Sequence, residues 1–531
     1  MTPPATPILL VGAGPTGLFL GIELARRRVP FRLIDRHPRP LGWDRATVVK
    51  SRTLEVFDNV CSADAFIQRG RIVSTVALFS EGVQVAAVEF GGLDSPFPFM
   101  LSLPESETES ILTDKLRQLG GDVERGLELT GLEQDEHGVR AHIRRVGNGD
   151  THIQEAGWVV GTDGLHSAVR DAVGDQFEGH DNPKLWAVVD SHLHGWRHSR
   201  NAIAAQLQPP AVNPIPLGDG RWRIYFRPQS REPGVLARVE EGLAAMSPGA
   251  RLGDHDEPQF FHTHSRVARR YRIGRVLLAG DAAHACSPIQ GHGMNVGIQD
   301  AHNLGWKLAL VVKGEAAPAL LESYEAERRP VAQAVVRSGD EAEERFAGQG
   351  PEAVRTVVAD LATAEGRLRA AIADAEITHG YDESPIVGDD DLALDPAEGA
   401  VRLGHRVGDV ERLDRQRGAC RLHELLRSPA HAAFVMPGAA DAASTEDGLK
   451  LATAVAERYR PHVVAYAVTR STPDRGGGEL IGDPTGALHR RLGADRPTLC
   501  LVRPDGHLSF RSQPPSLDRL RAHLERILLS G

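Results

Sequence analysis

The chain has 531 residues, 25% of them charged, and a formal net charge of −10 at pH 7. This length indicates about three domains, and the negative balance argues against nucleic acid as a partner. No apolar run approaches the length of a membrane span, and the first residues lack the basic segment of a secretory signal, so we expect a cytoplasmic protein. The four cysteines are scattered without a C-x-x-C pair, which indicates neither a dithiol centre nor a zinc site, and no metal is predicted.

The first stretch of the chain has the pattern strand, glycine turn, helix, strand and acid. An apolar run at 8–11 is typical of a buried parallel strand, and a helical segment follows at about 18–28. The turn residues expected to contact a pyrophosphate are Gly12, Gly14, Pro15, Thr16 and Gly17. A second run, 31–34, ends on Asp35, which can accept hydrogen bonds from an adenosine ribose. The stretch predicts a dinucleotide-binding unit; an ordinary glycine-rich turn would explain the glycines but not the acid.

Strand and turn signals dominate the middle of the chain. Helical patterns occupy about 52–57 and 110–119, and extended patterns occupy 71–90, 123–132, 138–144 and 185–227. The last of these is predicted to be an antiparallel sheet of its own. Within it, Trp222, Ile224 and Phe226 alternate with Arg223, Tyr225 and Arg227. The apolar set should pack, and the polar set should either line a cavity or form a solvated arginine face.

Two further glycine turns follow apolar strands. The first is Asp163-Gly164, after the run 158–160, and the second is Gly280-Asp281, after the run 276–279. A loop rich in glycine then leads to a long helix predicted from about 295 to 313. The positive end of that helix would stabilise a negatively charged ring placed beside it, such as the reduced, anionic form of a flavin. Three such turns in this order favour a flavin site.

A separate module is predicted at the C-terminus. Residues 340–375 are mostly helical, and a linker rich in Asp and Gly spans about 385–399. Beyond it, strands at 463–468 and 498–502, a turn at 504–506 and a closing helix at 517–529 suggest a small α/β domain.

On these motifs the chain resembles the single-component FAD-dependent aromatic hydroxylases of the phenol and p-hydroxybenzoate hydroxylase type, most of all those that act on aromatic polyketides in actinobacteria. The motifs are V-G-A-G-P-T-G at 11–17, R-A at 45–46 with R-T-L-E at 52–55, G-T-D-G at 161–164, and G-D-A-A-H at 280–284 through G-M-N at 293–295. The resemblance implies an α/β fold in three parts. These are a Rossmann-like FAD-binding domain (1–75, 100–180 and 270–390), an inserted antiparallel-sheet substrate domain (76–99 and 181–269), and a thioredoxin-like C-terminal domain (401–531).

The resemblance also implies roles for residues at the matching positions. Asp35 and Arg36 would hold the adenosine end of FAD, Arg45 the pyrophosphate side, and the backbone at Leu129 the adenine region. Asp281 would hold the ribityl chain or the pyrophosphate, and the loop residues expected at the isoalloxazine are Pro288, Gly291, Gly293, Met294 and Asn295. Asp163 lies in a motif tied to both FAD and NADPH, although it could equally be a turn-former that caps the next helix.

The sequence departs from the family pattern at two positions. Glu105 stands where a glutamine usually contacts the ribityl chain, and it can accept hydrogen bonds from flavin hydroxyls but cannot donate them when ionised. His292 stands between two glycines where a glutamine is common. Its side chain either has no role or affects flavin position or proton transfer. No side chain is singled out as certainly catalytic; His292, Arg223 and Tyr225 are the pocket candidates.

The resemblance therefore implies a monooxygenase with non-covalent FAD, NADPH or NADH as co-substrate and O₂, which hydroxylates a phenolic or quinonoid ring through a flavin C4a-hydroperoxide, because the cofactor carries the chemistry. The alternatives are Baeyer–Villiger-type or other oxygen insertion by the same hydroperoxide, a flavin reductase, and a flavin-bearing binding or sensor protein without turnover. We expect a small aromatic substrate, no membrane partner, and a monomer or homodimer.

Overall fold

The structure is a computed structural model that describes residues 6–42, 46–228, 230–231, 234–346, 351–388, 399–415, 418–437, 442–470 and 479–529. Within these ranges no helix is both long enough and apolar enough to cross a membrane. The described α-helices are Pro15–Arg26, Ser51–Cys61, Asp64–Arg69, Glu105–Gln118, Ala168–Ala172, Val235–Met246, Gly293–Val312, Glu322–Phe346, Pro351–Ala362, Ala364–Asp374, Leu422–Leu425, Ala442–Arg458, Ala487–Arg491 and Leu517–Leu524. Single 3₁₀ turns are formed by Gly280–Ala282, Pro288–Gln290 and Pro318–Leu321.

The central sheet contains the strands that precede the three glycine turns. Its order is Arg272–Ile273, Val276–Leu278, Thr151–Gly161, Thr6–Val11, Arg32–Asp35 and Val123–Arg125, with the antiparallel hairpin of Leu127–Gln134 and Val139–Arg145 added to Thr151–Gly161. The strands from Val276–Leu278 to Val123–Arg125 run parallel. Helices cover the sheet, so its middle strands are buried on both faces, which explains their continuous apolar runs.

The carboxyl ends of parallel strands lie at one edge of a sheet, and so the three turns meet there. They are packed closely. A Cβ on Gly12 would lie 2.4 Å from the carbonyl oxygen of Thr162, and one on Gly280 would lie 2.6 Å from Thr16 Oγ1. Only glycine leaves room for these contacts, so the predicted meeting of the turns at residues 12, 163 and 280 is observed.

Three smaller sheets form the region beside this edge. The antiparallel sheet has the order Val212–Pro216, Trp222–Phe226, Phe177–His194, Gln259–Ala268 and His284–Ala285, with Arg251–His255 also paired to Phe177–His194. A cover sheet contains Ala202–Gln206, Thr75–Ser80 and Val83–Glu89, and a small sheet contains Val48–Val49, Met100–Ser102 and Arg71–Val73. The predicted antiparallel region is therefore present, and its Trp222, Ile224 and Phe226 pack in a common core.

The C-terminal sheet has the order Gly418–Cys420, Leu413–Arg415, Leu480–Gly482, Val463–Thr469, His431–Met436, Thr498–Val502 and Leu508–Ser512. His431–Met436 and Val463–Thr469 are parallel and joined through helix Ala442–Arg458, whereas the last two strands form an antiparallel hairpin. This part has a hydrophobic core of its own on each face of the sheet. Its likeness to thioredoxin stays a prediction.

Some predicted boundaries were wrong. The helix expected at 110–119 begins at Glu105. The carboxylates of Glu105 and Glu107 lie in its first turn, where the positive end of the helix stabilises them. The closing helix is shorter than expected and ends at Leu524. Most of the predicted linker, at 389–398, lies outside the described residues.

Candidate active site

A single cavity of about 790 Å³ extends from the glycine turns to the antiparallel and cover sheets. Its polar end is lined by Gly14, Pro15, Thr16, Glu105, Thr162, Gly164, Asp281, Pro288, Gly291, His292, Gly293 and Met294. Its other end is mostly apolar and includes Val76, Leu78, Val88, Met100, Trp186, Ile203, Leu207, Ile215, Tyr225, Phe261 and Leu361. Most of the residues predicted for a cofactor therefore lie on one wall, far apart in sequence but adjacent in space.

The first glycine turn leaves space where a pyrophosphate would lie. A Cβ on Gly17 would lie 2.0 Å from the carbonyl oxygen of Gly12, whereas one on Gly14 would meet only Glu109 Oε1, at 3.9 Å. Gly14 is the N-cap of helix Pro15–Arg26, and no side chain caps that end among the described residues. Open amides beside an open cavity fit a bound dinucleotide phosphate.

Asp35 braces this turn from the end of the next strand. Its carboxylate accepts hydrogen bonds from the N–H groups of Ala13 and His37, each at 2.8 Å. Arg36 is exposed and contacts His37. Asp35 therefore holds the turn, which sequence reasoning did not foresee, and its contact with the adenosine ribose stays a prediction.

Two other residues predicted to contact FAD, Leu129 and Arg45, give little further information. The side chain of Leu129 is 3% exposed and belongs to the central core, so only its backbone is available to a ligand. Arg45 lies outside the described residues.

Glu105 forms a reciprocal pair of hydrogen bonds with Ala46. Ala46 N donates to Glu105 Oε2 at 3.2 Å, and Glu105 N donates to Ala46 O at 3.1 Å. Glu105 therefore holds the chain beside the cavity that it lines.

The second turn behaves as a helix cap. Asp163 accepts hydrogen bonds from Ser167 Oγ at 2.6 Å and from Val169 N at 3.1 Å, at the start of helix Ala168–Ala172. Burial raises the pKa of the Asp163 carboxyl. The carboxylate is therefore occupied by its own helix, as the capping alternative predicted, while Gly164 lines the cavity.

The third turn presents Asp281 to the cavity and is anchored by a carboxylate that the sequence analysis missed. Asp281 is exposed and lines the polar end. Behind it, buried Asp300 accepts from Gly280 N at 3.2 Å, contacts His284 Nε2 at 2.7 Å and accepts from Arg328 Nε at 2.7 Å. Burial alone would raise the pKa of Asp300, but His284 and Arg328 hold it below its usual value. Asp300 fixes the turn that carries Asp281.

The loop before helix Gly293–Val312 is fixed from the opposite side by Asn295. Its Oδ1 accepts from Lys50 N at 2.9 Å, and its Nδ2 donates to the carbonyl oxygens of Val48 and Gly291 at 2.8 Å. Asn295 as a whole residue is fully buried, so it supports the loop from behind, and its contact with a flavin ring stays a prediction. Gly293 remains open, since a Cβ there would meet only Cys286 Sγ, at 3.8 Å.

The pocket candidates on the antiparallel sheet have different environments. Arg223 is 5% exposed and donates from Nε and Nη2 to both carboxylate oxygens of Asp190, each at 2.8 Å, so a solvated arginine face is wrong at this position. Tyr225 lines the cavity, with its hydroxyl 3.2 Å from Thr47 Oγ1. Burial raises the pKa of Tyr225, which keeps its hydroxyl protonated.

Arg227, the third member of the polar set along 221–227, also lines the cavity, as one of the two alternatives predicted, although it was not named as a pocket candidate. It stacks over the Trp186 ring, with 4.5 Å from guanidinium carbon to ring centre, and it pairs with Glu343. Burial lowers the pKa of Arg227 to about 10, so the group stays charged at neutral pH. The alternation along 221–227 was the signal that could have identified it.

Comparison with known proteins agrees with this geometry. The FAD binding domain family matches residues 5–339. The chain is 32% identical to 6-methylpretetramide 4-monooxygenase of Streptomyces rimosus, over 98% of this chain and 93% of that protein. It is 30% identical to pentachlorophenol 4-monooxygenase of Sphingobium chlorophenolicum, over 96% and 94%. A solved structure of aklavinone-11 hydroxylase with FAD and aklavinone is 25% identical and superimposes with a TM-score of 0.77, covering 99% of this chain and all of that one.

The open glycine turn, the uncapped helix end and the continuous cavity fit FAD, and the family match covers the turn, the helix and most of the residues that line the cavity. The chain belongs to the FAD-binding family of flavin-dependent aromatic monooxygenases, which use NAD(P)H and O₂.

Proposed function

We propose that this enzyme hydroxylates a phenolic or polycyclic aromatic substrate of the polyketide type. The observation that carries the proposal is the continuity of the cavity, which leads from the cofactor-side turns into a mostly apolar chamber between the antiparallel and cover sheets. A flat aromatic molecule fits such a chamber because apolar walls remove its rings from water. The relatives that act on 6-methylpretetramide and pentachlorophenol support this substrate class.

We further propose which residues hold FAD. Gly14, Thr16 and the following amides would receive the pyrophosphate, Asp35 the adenosine ribose, and Asp281 the ribityl chain or pyrophosphate. The backbone at 293–295, at the positive end of a 20-residue helix, would lie at the flavin ring and favour negative charge there. When bound and reduced by NAD(P)H, FAD activates O₂ for transfer to the substrate.

The surrounding domains would position the substrate and exclude water. Residues 76–99 and 181–269 would form the substrate domain, 401–531 a structural domain, and the rest of the first 390 residues the FAD domain. The free cysteines of the described chain fit a cytoplasmic enzyme. We propose a monomer or homodimer, which size-exclusion chromatography with light scattering would settle.

The test is mass spectrometry and NMR of products formed from NADPH, O₂ and a panel of phenols and polycyclic quinones. We expect a product with one added oxygen as an aromatic hydroxyl, and NADPH oxidation that depends on substrate. A ring-expanded lactone would instead identify Baeyer–Villiger chemistry. If no compound accelerates NADPH oxidation, a binding or sensor role replaces the enzymatic one.

A further inference from the structure

His292 and Glu376 form a buried pair between two cavities. The His292 ring lines the main cavity, is 6% exposed, and its Nδ1 lies 2.6 Å from Glu376 Oε1. Among the described residues no partner is found for its other ring nitrogen, Nε2. Glu376 is 2% exposed, and its second oxygen accepts from Gln299 Nε2. His292 therefore lies at the cavity with one ring nitrogen committed to a carboxylate, which leaves the other ring nitrogen for a ligand.

Glu376 also lines a second, much smaller chamber, of about 10 Å³, on its other side. That volume holds about one water molecule. Two imidazole nitrogens of the chamber's lining residues, His302 Nε2 and His379 Nδ1, are enclosed without a hydrogen-bond partner in the described part of the chain. Unpaired buried nitrogens are costly, and a bridging water would satisfy them, so the chamber suits one ordered water beside Glu376.

We propose that His292, backed by Glu376, is the base that removes the hydroxyl proton of the aromatic substrate. The proposal rests on the proposed function. The substrate O–H bond breaks, its electron pair stays on oxygen as a phenolate, and an N–H bond forms at His292 Nε2. The Nδ1–H bond then breaks and an O–H bond forms on Glu376. The proton returns by the same path when the product is protonated, so no other reactant is needed.

The surroundings of the pair suit this role. The chamber behind Glu376 is also lined by the neutral amide of Gln299 and by further charged and titratable groups, which are Arg52, His302, Arg328, His379, Tyr381, Arg406, Asp505 and His507. Burial lowers the pKa of His379 to about 4, so this imidazole is neutral and does not compete as a cation. A phenolate attacks an electrophilic oxygen more readily than a phenol, which gives the base a function.

The backbone conformation of Glu376 indicates that the carboxylate side chain is needed at this position. Its φ is +59°, in the left-handed region that costs free energy for a residue with a side chain. The strain places the carboxylate behind His292, 84 residues away in sequence. Residues held in this region often serve a site, and glycine would relieve the strain but lose the carboxylate.

The test uses oxidised holoenzyme without NADPH and 4-nitrophenol as a coloured probe of the bound phenol. Absorbance against pH gives the pKa of the bound hydroxyl. In the wild type we expect a value about one unit or more below that of the free probe, and His292→Asn and Glu376→Gln should each raise it by about one unit. Glu376→Asp should restore part of the shift, and the FAD dissociation constant should stay within about threefold in each variant.

The matched control is His489→Gln, which removes a buried histidine paired with Asp483 at 2.8 Å in the C-terminal domain. The 4-nitrophenol bound to this variant should have the same pKa as in the wild type. Equal pKa values for the bound phenol in the wild type, His292→Asn and Glu376→Gln would overturn the proposal while leaving the hydroxylase function intact. Failure of wild-type enzyme to bind 4-nitrophenol or any phenol of the panel would overturn the proposed function and the proposal together.

Discussion

Arg503 of the C-terminal domain donates from both terminal nitrogens to the carboxylate of Glu327, at 2.6 and 2.8 Å, and both side chains are fully enclosed. Lys307 Nζ donates to the same carboxylate at 2.6 Å. Burial alone would raise the pKa of Glu327, but Arg503 and Lys307 lower it to about 2. The C-terminal domain is therefore joined to the FAD side of the molecule by a buried ion network.

The network also contacts the helix whose first residues form the proposed flavin site. Trp306 Nε1, on that helix, donates to Asp505 Oδ2 at 3.1 Å, and Arg52 Nη2 donates to the carbonyl oxygen of Asp505 at 2.7 Å. The turn that the sequence predicts at 504–506 therefore lies at this contact with the FAD side of the molecule. These contacts support the prediction that the C-terminal domain has a structural role.

Removal of Arg503 should destabilise the whole enzyme. Arg503→Met leaves the buried Glu327 carboxylate with the Lys307 cation and the neutral donors Asn303 and Ser384. Breaking a buried ion pair costs about 3–5 kcal/mol. Thermal and urea unfolding of the holoenzyme measure the loss. Arg402→Met is the control, since Arg402 makes an exposed pair with Asp382 that should contribute no more than about 1 kcal/mol. Equal effects of the two variants would contradict the role assigned to the network.

Asp281→Ala should weaken FAD binding. A charged hydrogen bond contributes about 1.5–3 kcal/mol, so we expect the dissociation constant to rise about 10- to 100-fold, measured by flavin fluorescence during ultrafiltration. Asp254→Ala, on an exposed strand position, should bind FAD as the wild type does. Unchanged FAD retention in Asp281→Ala would show that this turn does not hold the cofactor.

Gly293→Val should uncouple the enzyme. The structure leaves room for a Cβ, with Cys286 Sγ at 3.8 Å, so the variant should fold, while the branched side chain displaces the ring from the helix end. Loss of one aligned stabilising contact costs about 100-fold or more in rate, and NADPH should then yield mostly peroxide. NADPH, peroxide and product are measured together.

The control for that substitution is Gly131→Val, on a strand with similar space, where a Cβ would meet His142 Cδ2 at 3.7 Å. Its ratio of product to NADPH should match the wild type. Normal coupling in Gly293→Val would mean that the flavin ring lies at another loop.

Replacement of the C-terminal cysteines should leave catalysis intact. Cys500 is fully buried in the sheet, and burial raises the pKa of Cys420, so neither is an activated thiol. Cys420→Ser with Cys500→Ala should keep product formation within about twofold, and the wild-type protein should not reduce insulin disulfides. A collapse of turnover with an unchanged melting temperature would indicate a redox role after all.

Acid should destabilise the fold through Glu23. Burial alone would raise its pKa, but Arg27, Arg26 and His302 lower it to about 2, from 4.5. The unfolded chain then binds more protons between these values. The contribution, about 3 kcal/mol, is complete above pH 4.5 and is lost as the pH falls towards 2. Urea unfolding measures the free energy of unfolding at about pH 6 and about pH 3. Between these two pH values it should decrease less in Glu23→Gln than in the wild type.

Local patterns in the sequence were enough to predict the cofactor side of the molecule. The glycines at 12, 14 and 17, the acid at 35 and the apolar strands were identified because turn conformation, close backbone approach and strand burial each require particular residues at short spacing. The separation of the apolar from the polar face along 221–227 was predicted for the same reason. The sequence did not predict which partner each polar side chain of that face would contact.

Only the tertiary structure decided those long-range pairings. Asn295 bonds to Lys50 across 245 residues, His292 to Glu376 across 84, and Arg503 to Glu327 across 176. A buried polar group must find a partner, but no local periodicity says which, because the choice depends on how the domains pack. The sequence by itself determined the glycine turns and the strands before them, and the packing of the sheets and helices determined what holds these turns in place and what lies behind His292.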